Sequence, residues 1–553
     1  MAKGKLGERL VSMGIITPDQ LELALKEQKR TGKYLGEVIN SLGFATQESV
    51  QTALAMQSGV SYVNLKDYLI DLDTIRLVPE SFARENLLIP LSVEGDTLSV
   101  AMANVFDLPT IDALQQMTGY FIDVKAASET DIQHAIDQYY GKAQSLEEII
   151  QEAVKIAESE GGPGLGEDIG AAPIIRLVDH LIIDGLKQRA TDIHLEPELQ
   201  VVRTRYRIDG ILRQGISLPK ILQSALITRI KIMSGINIAE NRIPQDGRVL
   251  FHMGKRNIDL RISTMPTIHG EDIVIRILDK EKLILGLDKL GFSPEHVESY
   301  RYHVNRPHGI ILITGPTGSG KTTTLYSTLS YINNLEKSIL TLEDPVEYEL
   351  TVIRQTQINP KAGLTFANGL RSILRHDPDI IFIGEMRDAE TADMAIRSAL
   401  TGHLVLSTLH TNDAIGSIPR LLNMGVEPFL LASALIAVVA QRLVRVICPN
   451  CKEPYTPEKR LLKRFGIPPD SGITLYHGKG CPTCGNTGFW GRIGIFEILS
   501  ISSDIETMIM EKKDSQVIKE AALSEGFVTM EQDGIRKAKA GITTLEEVER
   551  VVA

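Results

Sequence analysis

Apolar residues recur along this chain in several rhythms, and each rhythm predicts a different kind of element. Residues 309–314, 338–342, 379–384 and 404–409 form short continuous apolar runs. Their length and β-branched content predict strands buried on both faces, as in a parallel sheet. A second rhythm alternates. Residues 257–267 and 269–278 exchange apolar and charged positions, and Arg203, Arg205 and Arg207 form a similar row ahead of Asp209-Gly210. Strands with arginines along one face are predicted there. Residues 87–91 and 97–102 read as two strands across the turn Glu94-Gly95-Asp96, with helical patterns after Pro109 and Asp131. The longest helix-like apolar stretch, 430–440, falls short of the roughly 18–20 residues that cross a bilayer.

The first sixty residues carry a repeat. Lys5-Leu6-Gly7-Glu8, Gly14-Ile15-Ile16 and 21–28 are echoed by Tyr34-Leu35-Gly36-Glu37, Gly43-Phe44-Ala45, Val50 and 54–57. Each unit is 24 residues long and reads as two short amphipathic helices around a glycine turn. Further on, a helical stretch from Ser145 to Ser159 gives way to Gly161-Gly162-Pro163-Gly164-Leu165-Gly166, a linker signal.

Candidate chemistry begins where the run 309–314 enters Gly315-Pro316-Thr317-Gly318-Ser319-Gly320-Lys321-Thr322, ahead of Thr323 and a helix-compatible stretch. Strand, glycine-rich turn and helix start together form a phosphate-binding loop. Glycines let backbone N–H groups close on phosphate oxygens, Lys321 reaches the β- and γ-phosphates, and the Thr322 hydroxyl serves Mg²⁺. The expected ligand is ATP or GTP. Two more apolar runs end in acids, Glu343-Asp344-Pro345-Val346-Glu347 and Gly384-Glu385-Met386-Arg387-Asp388, while His403 and His410 flank the run 404–409. In a parallel sheet the acids that follow these runs fall at the carboxyl edge, near the phosphates, although each acid alone also suits a solvated turn or helix cap and each histidine a structural role.

Taken in order, these segments resemble the Walker A, aspartate, Walker B and histidine boxes of the secretion ATPase superfamily. The resemblance runs over essentially the whole chain and is nearest to the type IV pilus extension motors. It implies that Glu385 organises Mg²⁺, that Glu347 is the general base with Glu343 in support, and that His410 senses the γ-phosphate. Arg261 and Arg276 match two arginines with which the family clamps nucleotide, whereas Arg203, Arg205 and Arg207 read as interface or fold residues. A guanidinium fork suits the clamping task because it orients and neutralises phosphate oxygens together. The repeat resembles a tandem cyclic-di-GMP-binding motif found at the front of some of these ATPases. Lys5 and Tyr34 stand where an arginine often opens each motif, and a paired-helix scaffold is the competing interpretation.

The expected fold is therefore a multidomain α/β protein with a RecA-like P-loop core. Residues 1–60 form the tandem repeat, 61–140 a small α/β domain, 141–172 a helical and glycine-rich linker, and 173–285 an α/β domain supplying the arginines. Residues 286–553 form the ATPase core with a zinc subdomain at 445–490 and C-terminal helices. The family implies a homohexamer working on an inner-membrane platform protein with pilus accessory proteins. A type II secretion ATPase is the nearest alternative, and a nucleotide-sensing scaffold or a nucleic-acid translocase belongs to other classes.

Composition narrows these expectations. A chain of 553 residues exceeds one domain, and its 43% hydrophobic content supports several cores. The first residues run straight into a mixed helix rather than a secretory signal, so a cytoplasmic location at the inner membrane is expected. The net charge of −11 argues against a nonspecific nucleic-acid coat, and no nucleic acid is expected as partner. The four cysteines fall in two pairs, Cys448-Pro449-Asn450-Cys451 and Cys481-Pro482-Thr483-Cys484. That spacing presents four thiolates to a tetrahedral Zn²⁺, a closed structural site with no place for a reacting water.

Overall fold

The computed structural model describes residues 6–32, 35–45, 60–140, 145–159, 172–254, 256–279, 286–468 and 472–552. Contacts divide the chain into two compact units, Met1–Lys280 and Glu281–Ala553. Among the described residues no helix is long and apolar enough to cross a membrane.

The first unit opens with helices α1 (Leu6–Ser12), α2 (Pro18–Thr31) and α3 (Leu35–Ser41), packed on Leu10, Ile16, Ala24, Val38 and Ile39. Thr17 and Gln20 cap α2 reciprocally, which satisfies two donors that a bare helix start would leave unpaired. The repeat is visible as a repeated turn. Gly14 and Gly43 both adopt left-handed φ, 70° and 69°, and the next residues, Ile15 and Phe44, donate to the carbonyls of Leu10 and Ile39. Lys5, Tyr34, Val50, 54–57 and the glycine-rich stretch 161–168 lie outside the described residues.

Next come β1 (Leu88–Glu94), β2 (Thr97–Met102) and β3 (Phe121–Ala126), with α4 (Leu108–Thr118) and α5 (Glu129–Tyr139). The β1–β2 pair is antiparallel across Gly95, and β3 joins β2 in parallel. The helix α6 (Leu146–Ser159), expected as part of a linker, puts Ile149 and Ala153 into the core of the following module and packs on α7 (Ala172–Lys187). Its apolar stripe explains this, because a face that hydrophobic is buried wherever a partner face exists. Further bonds join the two modules. Tyr139 donates to the buried Asp179 at 2.7 Å, Leu69 N–H donates to the His252 carbonyl at 2.9 Å, and Tyr68 donates to the Gly254 carbonyl.

The second module of this unit is an antiparallel sheet of six described strands in the order β6-β5-β4-β9-β8-β7. They span β4 (Ala190–Pro197), β5 (Val201–Ile208), β6 (Ile211–Pro219), β7 (Gln245–Met253), β8 (Arg256–Thr267) and β9 (Gly270–Asp279). One face carries Ile193, Leu195, Val202, Tyr206, Ile258, Leu260, Ile262, Ile273 and Ile275 onto α7 and α8 (Gln223–Met233). Alternation sends the arginines to the other face.

The second unit is built on a sheet ordered β12-β11-β13-β14-β10-β15-β18 among its described strands. These are β10 (Gly309–Thr314), β11 (Ile339–Glu343), β12 (Arg354–Gln357), β13 (Ile380–Ile383), β14 (Leu404–Leu409), β15 (Leu435–Ile447) and β18 (Phe489–Ser500). All pairs are parallel except β15–β18. Every residue of β10, β11, β13 and β14 is buried, as their apolar runs require, with one core on each face of the sheet.

The stretch 430–440 divides instead of forming one helix. Pro428–Ala434 is helical, and Leu435 onward is β15. Ile436, Val438 and Val439 are β-branched and find β10 on one side and β18 on the other, so pairing overrides a periodicity that short apolar runs leave ambiguous. Beyond it, β16 (Lys452–Tyr455) pairs with β17 (Leu475–Gly478), and Leu461, Leu462 and Phe465 pack on Ala538, Leu545 and Val548. The cysteine-bearing segment thus shares its core with the C-terminal helices.

Candidate phosphate-loop site and cysteine cluster

Because β10, β11, β13 and β14 run parallel, their carboxyl ends bring the glycine loop, Glu343, Glu385 and His410 to one edge. Hydroxyl groups lock these ends together. The Thr314 hydroxyl pairs with that of Thr411 at 2.7 Å and accepts the Thr411 N–H at 2.9 Å, which ties the histidine segment to the loop strand. Thr408 donates to the Gly384 carbonyl at 2.7 Å, and Met386 N–H donates back to Thr408.

The glycine loop closes on β15. A Cβ at Gly315 would lie 2.6 Å from the Gln441 carbonyl oxygen, and one at Gly320 would lie 2.7 Å from the Gln441 side chain. Both glycines have positive φ, 152° and 91°, so neither position admits another residue without strain. Gly318 also has positive φ and faces open space, and Thr317 is exposed. Helix α9 (Lys321–Ile332) starts directly from Gly320. Its first turn carries Thr322, which is exposed, and the half-buried Thr323. Ser319 is buried and its hydroxyl has no partner. A cradle this short of side-chain partners suits phosphate oxygens.

Lys321 folds back into this cradle and donates to the carbonyls of Gly315 at 2.8 Å and Pro316 at 3.1 Å. Burial pushes its pKa down to about 8, with Arg442 acting in the same direction and Glu385 opposing it. Glu385 lies between two side chains: Arg387 holds one oxygen, and His410 Nε2 stands 3.5 Å from the other. Arg387 also faces Asp344 at 3.6 Å. The Glu385 carboxylate and the exposed Thr322 hydroxyl are hard oxygen donors of the kind Mg²⁺ prefers.

The remaining acids and histidine separate by environment. Glu343 is buried and accepts from Tyr326, from Thr341 at 2.5 Å and from Gln355 at 3.0 Å. Glu347 donates its backbone N–H to the Tyr326 hydroxyl at 3.1 Å. Asp388 caps the helix α10 (Ala389–Leu400) by accepting the Thr391 N–H. His403 places Nδ1 2.8 Å from the Ser398 carbonyl oxygen, in the turn that ends α10.

Sequence reasoning passed over Gln441, Arg442 and Tyr326. Gln441 accepts from the Thr324 hydroxyl at 2.7 Å, and Arg442 donates to the Asn412 carbonyl at 2.8 Å. The available signal was a polar pair interrupting an apolar strand. Tyr326 offered none, because a tyrosine on an amphipathic helix looks like core.

In the first unit, Arg261 and Arg276 are direct cross-strand partners. The row continues through Arg248, Arg261, Arg276, Asp192 and Arg207 over five adjacent strands. Like charges placed opposite one another are destabilising. Acids offset part of that: Arg276 Nε lies 3.2 Å from Asp192, and Arg248 donates to the buried Asp259 at 2.8 Å.

The four cysteine sulfurs lie within 4.8 Å of one another. Cys448–Cys481 and Cys451–Cys484 are 3.8 and 3.9 Å apart, close to the edge, about 3.8 Å, of a tetrahedron with zinc–sulfur bonds of about 2.3 Å. Backbone N–H groups of Cys481 and Gly488 donate to Cys484 Sγ at 3.2 and 3.3 Å, an arrangement that favours thiolate. The donors fit zinc.

A P-loop core with a carboxylate-rich strand edge defines the class of P-loop nucleotide-binding proteins, here with a separate cysteine cluster. The profile described as type II/IV secretion system protein matches residues 167–550, and that of the MshEN domain matches 58–146. The chain belongs to the type II/IV secretion system protein family. It is 42% identical to the type IV pilus assembly ATPase PilB of Myxococcus xanthus, over 99% of this chain and 98% of that protein. It is 40% identical to the type II secretion system ATPase E of Vibrio cholerae, over 86% and 97% respectively. The solved ATPase DotB of Yersinia pseudotuberculosis shares the fold, with a TM-score of 0.52 at 23% identity over 68% of this chain and 93% of that one.

A lysine with a pKa near 8 makes nucleotide binding pH-dependent. Below that pH Lys321 carries its charge before phosphate arrives; above it, binding must first take up a proton. Nucleotide affinity is expected to be level up to about pH 8 and then to weaken by up to about tenfold per pH unit. Fluorescent-ADP titrations between pH 7 and 9.5 check this, and a flat profile would count against the buried-lysine account.

Proposed function

We propose that this chain is an ATP-hydrolysing motor that acts as a homohexamer and powers type IV pilus assembly through an inner-membrane platform protein, with accessory pilus proteins. The observation that carries the reading is the P-loop with Lys321, Glu385 and His410 converging on it, in a chain that matches a pilus assembly ATPase from end to end. The type II secretion reading rests on relatives of similar identity and differs in the fibre served. On either reading the chain works in the cytoplasm, at the inner membrane, by way of its partners.

Lys321 leaves the Gly315 and Pro316 carbonyls and takes the β- and γ-phosphate oxygens, while Gly315, Thr317, Gly318, Ser319, Gly320, Thr322 and Thr323 line the nucleotide. Thr322 and Glu385 would hold Mg²⁺, which would supply neutralisation of the phosphate charge. Glu347 accepts the proton of the attacking water as the bond from the γ-phosphorus to the bridging oxygen breaks. His410 reads the presence of the γ-phosphate through its contact with Glu385. Arg261 and Arg276 neutralise developing phosphate charge. Hydrolysis then alternates the subunit between nucleotide-bound and released states, and this cycle drives the platform.

Substitution, metal analysis and calorimetry test these assignments. Lys321→Ala is expected to abolish ATP binding and fibre assembly. Glu347→Gln is expected to keep binding while hydrolysis drops by roughly 10² to 10⁴ and fibres disappear. Assembly surviving in Glu347→Gln would make the chain a nucleotide-sensing scaffold. For the cysteine cluster, metal analysis should find about one zinc per chain. A strong chelator should then change the emission of Trp490, the only tryptophan and a neighbour in sequence of the Gly488 that donates to Cys484; unchanged emission after zinc release would refute a structural metal. For the repeat at 5–57, calorimetry of the full chain with cyclic-di-GMP should register saturable heat. No heat at tens of micromolar protein would leave it a helical scaffold.

A further inference from the structure

We infer that Tyr326 is a positioning residue that sets Glu347 for its role as base, and that Glu343 anchors this tyrosine instead of serving the metal. The inference rests on the assignment of Glu347 made above. Its observation is a closed hydrogen-bond node between the P-loop helix and the acid-bearing segment.

Tyr326 lies on α9, the helix that begins with Lys321, and its side chain is 1% exposed. The ring meets Phe382 of β13 edge-on, with centroids 6.4 Å apart at 85°, so the hydroxyl occupies one place. That hydroxyl donates to Glu343 and accepts the backbone N–H groups of Glu347 at 3.1 Å and Tyr348 at 3.4 Å. Gln355 braces the same node by donating to Glu343 at 3.0 Å and to the Tyr348 carbonyl at 2.9 Å. It also accepts the Leu350 N–H at 2.7 Å. The segment that leaves β11 at Glu343 is thereby pinned at Glu347, Tyr348 and Leu350.

A metal ligand needs a carboxylate oxygen open to the ion. Glu343 is enclosed: Tyr326 donates to Oε2, Thr341 and Gln355 donate to Oε1, and the residue is 3% exposed. Glu385, by contrast, stands at the strand edge beside the exposed side chains of Arg387 and His410. Burial first, and then the adjacent Glu343, raise the Tyr326 phenol above its ordinary value. It stays protonated across the working range and acts as a fixed donor and acceptor. Because α9 also carries the phosphate-binding lysine, a single rigid element locates both the phosphates and the base.

Tyr326→Phe keeps the ring and removes the node. We expect kcat for ATP hydrolysis to fall about tenfold or more, with KM and calorimetric ADP affinity within about twofold of the parent. In a Glu347→Gln background the same change should cost nothing further, since the group it positions is gone. Glu343→Gln, a neutral isostere that keeps the shape should the first variant fold poorly, should lower kcat while leaving the Mg²⁺ dependence of ADP binding unchanged. A parental kcat in either variant would overturn the positioning role, and an Mg²⁺ requirement raised tenfold in Glu343→Gln would make that residue a metal ligand and overturn its part in the inference. If Glu347→Gln itself hydrolyses ATP normally, it is the base assignment that fails. If that variant is dead and Tyr326→Phe keeps its kcat, only the present inference fails.

Discussion

Burial of the central sheet on both faces governs the second unit. A strand with no wet side cannot hold an unpartnered charge, because stripping water from an ionised group costs far more than one packing contact returns. The runs in β10, β13 and β14 are therefore almost wholly apolar, and the chemistry is pushed out past their carboxyl ends. Parallel pairing then does the rest. Every strand end points the same way, so the glycine loop, two acidic segments and the histidine segment meet without any long-range design of loops.

Polar groups that enter the sheet bond across it, and three of those bonds run between functional segments. Thr314 joins the loop strand to the histidine segment, Thr408 joins that strand to the Glu385 segment, and Gln441 joins β15 to the P-loop helix. Each such bond adds only about 1 kcal/mol of net stability, but losing one partner strands the other in the interior. The same atoms that stabilise the fold therefore set the geometry of the edge. Lys321 adds a further tie within the loop by donating to the Gly315 and Pro316 carbonyls.

In the first unit an opposite arrangement serves the arginines. An antiparallel sheet with one covered face leaves the other wet, and cross-strand register sets Arg248, Arg261, Arg276 and Arg207 side by side around Asp192. Mutual repulsion makes this row an unfavourable way to decorate a sheet that needed only solubility. Asp192 and Asp259 relieve part of that repulsion through Arg276 and Arg248.

Much of this was legible in the chain itself because the signals were local. Gly315 to Thr322 is a contiguous motif, the strand runs are continuous, the arginine alternation has period two, and the cysteine pairs are three residues apart. The turn shared by Gly14 and Gly43 likewise repeats with the sequence. Partnership, by contrast, was decided only in three dimensions. The helix at 146–159 became core through α7, and the stretch at 430–440 broke into helix and strand because β10 and β18 flank its second half. Glu343 and Glu385 both follow apolar runs, yet one is enclosed by Tyr326, Thr341 and Gln355 while the other faces Arg387 and His410. Residue type and spacing determine which groups reach the carboxyl edge; whether a carboxylate there is closed or open depends on donors brought from distant strands and helices, and those contacts exist only after the sheet has assembled.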